Sequence, residues 1–405
     1  MSTLKTKLNH FVFFLLFIQI TLIYNQFVKI PFVGHNFFIE IHLILGENKY
    51  NEIVPLNFYN PYTWISNYYL KNTNFFALKQ FGNNRITIGK ENLTGFIYED
   101  VVSFKDSSTS FDWMFYTSNI TSYYSKDAGI GLAYTYKGNN IDEFSIAFQL
   151  KKKQLTDKAE FSIVCENDYH YHGSLYFGSI PYDLIKNSYK TSCRVSNNGN
   201  DQFWKCDLNN LIIRTDDNQR VFKYNLIKNH NQIIWNSVSN YNYIPLPVFD
   251  LFTQFFDIGN EKQENSQCSV RNIQQKKVIE CSKSTNSAQY KNVELVLKID
   301  RTNFILNYTD IFECPENKLT CLCLYAYDST LNDNDNFYFS YAFFHKYITT
   351  FDYENKQIVF YSKTPFSNMG TNNQTIIISL SFCNFILLIF GCILVLFNTK
   401  NKHNI

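Results

Sequence analysis

Short apolar runs separated by polar turns dominate residues 27–366 of this chain. The clearest runs are rich in β-branched and aromatic residues and are bounded by Asn, Gly, Asp or Ser: FFIEIHLIL, GFIYEDVVSF, AEFSIVCE, GSLYFGSIP, VELVLKI and QIVFYS. One stretch, DEFSIAFQLKKKQL, has apolar residues on one side of a helix and lysines on the other, so we predict a helix with a solvated lysine face. The pattern predicts a mostly β fold in two parts.

The chain begins with a basic segment and an apolar run. Lys5 and Lys7 precede the sequence FVFFLLFIQITLIY, an arrangement typical of an export signal. We therefore predict a signal peptide over residues 1–25.

A second apolar run covers residues 375–397. At 1.5 Å per residue, a helix of this length measures roughly 34 Å and crosses the hydrocarbon core of a bilayer. The tail at 398–405 contains Lys400 and Lys402 and no acidic residue, as expected on the cytosolic side. We predict a transmembrane helix and a lumenal or extracellular body, in the secretory pathway, at the cell surface or at an endolysosomal-type membrane. A lipid-anchor signal is the alternative, although such signals normally end within the apolar run.

Cysteines and glycosylation motifs agree with export. Of ten cysteines, Cys383 and Cys392 lie in the C-terminal apolar run, and the remaining eight favour disulfide bonds in an oxidising compartment. Four sequons for N-glycosylation begin at Asn92, Asn119, Asn307 and Asn373.

Charge and composition exclude some classes of partner. A net charge of +2 gives no reason to expect nucleic acid as a ligand. The triplets CLC and HYH lack partner motifs at zinc spacing, so we predict no metal and no cofactor. The 39 Phe and 29 Tyr residues are more typical of a core than of a ligand-stacking surface.

Seven segments resemble, in order, the parts of one known family: FFIEIHLILGENKYNEIVPLNFYNPYTWIS, ITIGKENLTGFIYEDVVSF, DAGIGLAY, GSLYFGSIP, FWKCDLNNLII, IIWNSVSNYNYIP and FYFSYAFFHKYITTFDYENKQIVFYSK. They are similar to the active-site loops, flap hairpin and lobe-closing strands of pepsin-like aspartic peptidases. The resemblance implies a bilobal pepsin-like acid protease fold, with two β-barrel-like lobes around a cleft. The N-terminal lobe would cover residues 27–190 and the C-terminal lobe residues 191–366.

The same resemblance places asparagines at both catalytic positions. The family's two Asp-Thr-Gly signatures correspond to Asn57-Phe58-Tyr59 and Asn236-Ser237-Val238. Peptide hydrolysis in this family needs two carboxylates about 3 Å apart that share one proton. An amide does not ionise and its nitrogen is not basic, so we predict that Asn57 and Asn236 do not catalyse the reaction.

Other positions around the implied site have also changed. The flap tyrosine of the family corresponds to Ile88, and the Gly-Asp of the second threading segment corresponds to Ser340-Tyr341. Gly131 of the first threading segment is retained. Carboxylates elsewhere lack the expected setting, and we expect none of these to substitute for the missing pair: Asp100, Asp127 and Asp257.

The resemblance also suggests disulfide pairs. Cys281 and Cys314 lie where the family often has a second-lobe disulfide, so we expect that pair. Cys193 and Cys206 flank RVSNNGNDQFWK and could close a local loop. For the other four cysteines of residues 27–366 we predict no specific pairing.

These expectations favour a membrane-anchored, catalytically inactive member of the family, whose cleft binds an extended peptide or protein segment. One alternative is an active aspartic endopeptidase with an unorthodox site. Another is a structural surface glycoprotein in which Phe58, Tyr59 and Tyr341 fill the cleft.

Overall fold

The computed structural model describes most of the chain between residues 26 and 366. The described ranges are 26–35, 38–45, 50–58, 63–66, 79–88, 91–105, 110–118, 128–134, 145–166, 172–196, 203–226, 231–235, 241–258, 268–273, 275–283, 292–316, 318–331 and 335–366.

Strands make up most of these residues. In chain order they are β1 (Phe27–His35), β2 (Phe38–Leu45), β3 (Tyr50–Asn57), β4 (Trp64–Ser66), β5 (Lys79–Ile88), β6 (Glu91–Phe104), β7 (Ser110–Ser118), β8 (Ala128–Gly131), β9 (Glu160–Cys165), β10 (His172–Gly178), β11 (Tyr189–Arg194), β12 (Lys205–Thr215), β13 (Val221–Tyr224), β14 (Gln232–Trp235), β15 (Asn242–Tyr243), β16 (Cys268–Ile273), β17 (Lys276–Ser282), β18 (Val293–Ile299), β19 (Thr302–Asn307), β20 (Phe312–Glu313), β21 (Thr320–Cys323), β22 (Tyr325–Asp328), β23 (Phe337–Phe339), β24 (Ile348–Asp352) and β25 (Gln357–Ser362).

Helices are short and few among the described residues. They are α1 (Ile146–Lys152), α2 (Tyr182–Ile185), α3 (Leu246–Phe255), α4 (Tyr308–Ile311) and α5 (Tyr341–Phe344). The predicted helix is confirmed as α1, which buries Ile146 and Leu150 and leaves Lys151 and Lys152 exposed. The lysine run is therefore a solvated face, as expected from its spacing.

Two sheets contain the strands. Among described residues, the first has thirteen strands in the order β11-β25-β24-β9-β10-β1-β2-β3-β8-β4-β7-β6-β5. The second has twelve, with the main order β19-β18-β12-β14-β23-β15-β22-β17-β21-β20, while β13 pairs with β12 and β16 with β17. The prediction of a mostly β fold is confirmed.

The strand pairings repeat in the two halves of the chain. In the first half, β2–β3 is antiparallel, β3–β8 parallel, β8–β4 antiparallel and β4–β7 parallel. In the second half, β12–β14, β14–β23, β23–β15 and β15–β22 repeat these four relations in the same order. The fold is therefore bilobal, with one copy of this arrangement in each lobe.

An antiparallel run of β1, β10, β9, β24, β25 and β11 connects strands from the two ends of the chain. At its centre β9 pairs with β24, and we call this pair the lobe seam. The buried hydroxyls of Ser162 and Thr350 lie 2.7 Å apart across the seam and form a hydrogen bond. The predicted division between residues 190 and 191 falls within β11.

Aromatic side chains pack against the seam. Phe161 of β9 stacks on Phe351 of β24 with ring centroids 4.7 Å apart. The Trp204 ring centroid lies 5.2 Å from that of Phe351 and 4.8 Å from that of Tyr353. Both contacts are edge-to-face, the geometry that the quadrupoles of aromatic rings favour. Because these rings are almost completely buried, each stabilises the fold by roughly 1.5–3 kcal/mol through lost apolar exposure.

One disulfide bond connects the two sheets. Cys193 of β11 is bonded to Cys206 of β12, with Cα atoms 6.1 Å apart. These are the two cysteines that flank RVSNNGNDQFWK.

The expected bond between Cys281 and Cys314 is wrong. Cys281 is bonded to Cys268, and Cys314 is bonded to Cys321. The reason is the lateral order of the strands, because β21 lies between β17 and β20. Each cysteine therefore finds a closer partner on the adjacent strand.

The predicted terminal segments lie outside the described residues. This applies to the signal peptide at 1–25, the transmembrane helix at 375–397 and the tail at 398–405. Of the helices that the structure does describe, none has the length and apolar character needed to span a bilayer.

Candidate functional site

The first-lobe site is built where β3 runs parallel to β8. Their register pairs Leu56 with Ile130 and Asn57 with Gly131. The Leu132 N–H donates a 2.8 Å hydrogen bond to the Asn57 carbonyl, so the backbone pairing continues past the end of β8. Asn57 is only 7% exposed. The retained Gly131 thus lies directly beside the residue that the sequence aligned with a catalytic aspartate.

Trp64, seven residues after Asn57, covers the next part of this loop. In the antiparallel β4–β8 pair, Trp64 faces Gly129. A Cβ atom added to Gly129 would lie 2.2 Å from the Trp64 ring, closer than any van der Waals contact. The Gly131 N–H also donates to Thr63 Oγ1 at 3.4 Å. Glycine is therefore required at 129 by the close approach of the indole.

The second lobe repeats this register. Trp235 pairs with Phe339, and Tyr243 pairs with Tyr338. The Ser340 N–H donates to Asn242 Oδ1 at 2.8 Å. This contact corresponds to the one between Gly131 and Thr63 in the first lobe.

A constant sequence shift relates the two loops. Trp64 corresponds to Tyr243 (243 − 64 = 179), and Thr63 corresponds to Asn242 (242 − 63 = 179). By the same count, the counterpart of Asn57 is residue 236. Asn236 itself lies outside the described residues, so its assignment as the second family position stays a prediction.

Phe58 lies where the family has the threonine of its signature. Its side chain is fully buried and contacts Phe161, Phe344 and Phe351 at centroid distances of 5.6, 6.1 and 5.1 Å. Trp235 of the second lobe stacks on Phe344 at 5.8 Å. Phe58 therefore belongs to the aromatic core that joins the lobes.

Two of the three residues expected to fill the cleft in the structural alternative are described. Phe58 belongs to the core just described, and Tyr341 is 4% exposed. Its side chain lies near Cys165, the last residue of β9. Tyr59 lies outside the described residues.

The carbonyl of Leu132 is a hydrogen-bond acceptor that fixes the segment after β8, and no sequence pattern indicated this role. It accepts hydrogen bonds from Trp204 Nε1 at 2.7 Å and from the Tyr353 hydroxyl at 3.0 Å. Burial raises the pKa of Tyr353, which keeps its hydroxyl protonated and able to donate. The segment beside Asn57 is thus held by residues from the middle and the end of the chain. Their aromatic type indicated burial, but no pattern identified their acceptor.

The flap hairpin expected from the sequence is present. β5 and β6 pair antiparallel from Lys79–Glu99 to Ile88–Glu91. Ile88 is therefore the last paired residue of β5, and the turn at residues 89 and 90 lies outside the described residues.

Of the three alternative carboxylates, Asp257 forms an ion pair with an arginine. Both oxygens of Asp257 accept hydrogen bonds from Arg220 at 2.7 Å, and this contact lowers the pKa of Asp257. Asp100 is a strand residue paired with Trp113 in the β6–β7 ladder. Asp127 is not among the described residues.

Two of the four sequons begin at described residues. Asn307 is exposed and begins α4, where its N–H donates to Asp310 Oδ2 at 2.9 Å. Asn92 lies in β6. Asn119 and Asn373 are outside the described residues. Across the described ranges, no group of three His, Cys, Asp or Glu side chains could hold a metal ion.

A family model for eukaryotic aspartyl proteases matches residues 68–363, which is well over half of the chain. The chain belongs to the eukaryotic aspartyl protease family. The crystal structure of the aspartic proteinase from Irpex lacteus is similar, with a TM-score of 0.58 and 12% identity over 83% of this chain and 97% of that one. At this identity the likeness shows the fold alone. A comparison with curated protein sequences gave no match.

The aspartyl protease match confirms the resemblance but does not reach every site residue. It begins at residue 68, eleven positions after Asn57 (68 − 57 = 11), so the first-lobe signature falls outside it. The structure nevertheless describes the surroundings of Asn57. Asn57 pairs with Gly131, and its carbonyl accepts a hydrogen bond from the Leu132 N–H.

Proposed function

We propose that this aspartyl protease homologue does not hydrolyse peptides and instead uses its inter-lobe region to bind an extended peptide or protein segment. The observation that carries this proposal is Asn57, which lies opposite Gly131 at the end of β3. The register shared by the lobes makes residue 236, also asparagine, its counterpart by sequence count.

The chemistry supports inactivity. The family reaction requires one acid and one base, which two adjacent carboxylates supply because their like charges force the two pKa values apart. A pair of carboxamides has no proton to share, so it can hold a water molecule without activating it. Asparagine keeps much of the shape and backbone bonding of aspartate without burying two like charges. The substitution therefore removes the reaction while the surrounding fold is retained.

Peptide binding follows from the architecture of the family. A β5–β6 hairpin is kept although its last paired residue is Ile88 instead of tyrosine. Extended peptides bind such folds through backbone pairing with strands and through pockets for alternate side chains. An apolar flap side chain is suited to apolar peptide residues.

The proposal includes the location of the protein. The apolar run at 375–397 would anchor it in a membrane of the secretory pathway, with the lobes on the lumenal or extracellular side. Exposure of Asn307 supports glycosylation on that side. After alkaline extraction the full chain should stay in the membrane pellet, and a chain that ends at residue 366 should not.

Activity and binding can be measured on the same purified protein. We expect no peptide hydrolysis at pH 3–6, but saturable binding of a statine-type peptide mimic. A variant with Asn57→Asp and Asn236→Asp tests whether only the acids are missing. Asn272→Asp, which changes an exposed asparagine of β16 in the same way, is the matched control.

The outcomes separate the possibilities. Hydrolysis by the unmodified protein that the mimic inhibits would overturn the proposal and establish an unorthodox enzyme. Absence of both hydrolysis and mimic binding would remove the peptide-binding role and leave a structural glycoprotein.

A further inference from the structure

Four cysteines of the second lobe lie in one row across neighbouring strands. The β16–β17 register pairs Cys268 with Cys281, and the β17–β21 register pairs Cys281 with Cys321. The β20–β21 register pairs Phe312 with Cys323, and its continuation brings Cys314 beside Cys321 with Cα atoms 4.2 Å apart. The order along the row is therefore 268, 281, 321 and 314.

The two existing disulfides occupy only the outer pairs of this row. Cys268–Cys281 and Cys314–Cys321 are bonded, while the central neighbours Cys281 and Cys321 belong to different bonds. Residues that face each other across antiparallel strands have Cα atoms about 4.5–5.5 Å apart, which lies within disulfide reach. The central pair is thus placed for a third, alternative bond.

Solvent reaches the row of cysteines at one end, at Cys314. Cys268, Cys281 and Cys321 are at most 3% exposed, whereas Cys314 is only partly buried. Cys314 also begins the short loop that ends at Cys321, where Leu319 is 86% exposed. An external thiol therefore reaches Cys314 first.

Cys323, which is also on β21 but outside the row, does not compete in thiol–disulfide exchange. Cys323 is a fully buried free thiol, and burial raises its pKa to about 12. Since the thiolate is the nucleophile in disulfide exchange, Cys323 stays unreactive near neutral pH. The other disulfide, Cys193–Cys206, connects β11 to β12 and has no further cysteine opposite it in the described registers.

We propose that the row formed by Cys268, Cys281, Cys321 and Cys314 is a disulfide-exchange relay that responds to small monothiols such as glutathione. This role is independent of the proposed loss of proteolysis.

Each step of the relay balances. The monothiol, as its thiolate, attacks Cys314 Sγ; a mixed disulfide forms, the Cys314–Cys321 bond breaks and Cys321 leaves as a thiolate. Cys321 then attacks Cys281 Sγ; the Cys281–Cys321 bond forms, the Cys268–Cys281 bond breaks and the Cys268 thiolate takes a proton from water. Two disulfides and one thiol enter, and the same numbers leave, so no other oxidant or reductant is needed.

The exchange changes which strands the disulfide bonds connect. Before it, β16 is bonded to β17 and the 314–321 loop is closed. After it, the single protein disulfide left within the row joins β17 to β21, and both β16 and the loop lose their covalent closure. The relay would thus free the loop that carries Leu319 in a reducing environment, while the β17–β21 pairing gains a crosslink.

The test uses the full-length protein with graded reduced glutathione at pH 8. Samples are quenched with iodoacetamide, digested without reduction and mapped by mass spectrometry. We expect peptides linked through Cys281–Cys321, with Cys268 alkylated and Cys314 glutathionylated, at least tenfold above any other new link. The Cys193–Cys206 link should be unchanged over the same range.

A matched variant separates a relay from independent reduction. In Cys314→Ser/Cys321→Ser the point of entry is gone, so loss of the Cys268–Cys281 bond should slow at least tenfold. Equal rates in variant and unmodified protein would overturn the relay. If the variant does not fold, the unmodified protein decides alone: four alkylated cysteines without a Cys281–Cys321 link would overturn the proposal.

Discussion

The two lobes share a backbone arrangement but differ in the side chains packed against it. In the first lobe the Trp64 ring lies over Gly129, whereas Tyr243 and Tyr338 occupy the matching places in the second. Gly131 of the first lobe corresponds to Ser340. Both nevertheless donate their N–H to the side chain just before the matching Trp64 or Tyr243, which is Thr63 Oγ1 in the first lobe and Asn242 Oδ1 in the second.

This difference shows which interactions specify the fold. Parallel and antiparallel pairings depend on backbone groups that every residue carries, so they survive exchange of glycine for serine or tryptophan for tyrosine. Catalysis depends on particular side chains, and so it can be lost with the pairings intact. A chain of this family can therefore keep its architecture after its chemistry is gone.

The first prediction tests how much the hydrogen bond and packing of Trp204 between the lobes stabilise the protein. Trp204→Ala removes a fully buried ring and the donor to the Leu132 carbonyl, so we expect unfolding free energy to fall by about 3–5 kcal/mol. Trp204→Phe keeps most of the ring and should cost only about 1–2 kcal/mol. Urea unfolding followed by circular dichroism measures both. A loss under 1 kcal/mol for the alanine variant would mean that the lobes do not depend on this anchor.

The second prediction concerns the seam between the lobes. Burial raises the pKa of Glu160 from 4.5 to about 7, assisted by Asp352, Asp157 and Glu354 and opposed by Lys158. The unfolded chain releases this proton at lower pH than the folded one. The contribution of Glu160 is therefore complete below about pH 4.5 and is lost as pH rises to about 7, by on the order of 3 kcal/mol.

Glu160→Gln is the matched control for this pH dependence, because it keeps the shape but does not titrate. We expect the variant to show a flatter profile of unfolding free energy between pH 4.5 and pH 7. Identical profiles for both proteins would assign the dependence to other groups.

The third prediction addresses the glycine that distinguishes the first lobe. Gly129→Ala would place its Cβ 2.2 Å from the Trp64 ring and should destabilise the protein by about 1–3 kcal/mol. In a Trp64→Ala background the clash disappears, so the same change should cost little. Equal losses in both backgrounds would locate the requirement for glycine elsewhere.

The smallest effect is expected from the second-lobe counterpart of Gly131. Ser340 Oγ donates a 2.9 Å hydrogen bond to the Tyr241 carbonyl in a buried setting. Ser340→Ala should therefore lower unfolding free energy by about 1 kcal/mol. Ser340→Gly restores the residue type of the first lobe and should cost about 0.5–1 kcal/mol more through backbone entropy. A stabilising effect of glycine would show that the lobes prefer the same residue here.

The fold was predictable because short strands with polar turns and seven family-like segments follow one another along the chain. The position of Gly131 beside Asn57 was expected for the same reason, because Gly131 belongs to the segment that resembles the family's first threading segment. The Cys281–Cys314 bond was predicted wrongly because the family resemblance does not give the lateral order of β17, β21 and β20 in this chain. The raised pKa of Glu160 and the anchor at Leu132 depend on contacts between residues distant in sequence, so neither had a local signal.

The seam also sets an order of events during synthesis. Ser162 and Thr350, which meet across β9 and β24, are separated by 188 positions. While the ribosome makes the intervening residues, β9 has an unpaired edge in the nascent chain, and such edges recruit other strands. This edge of β9 is therefore covered only when translation is nearly finished, so the nascent chain is exposed to wrong strand pairing until then.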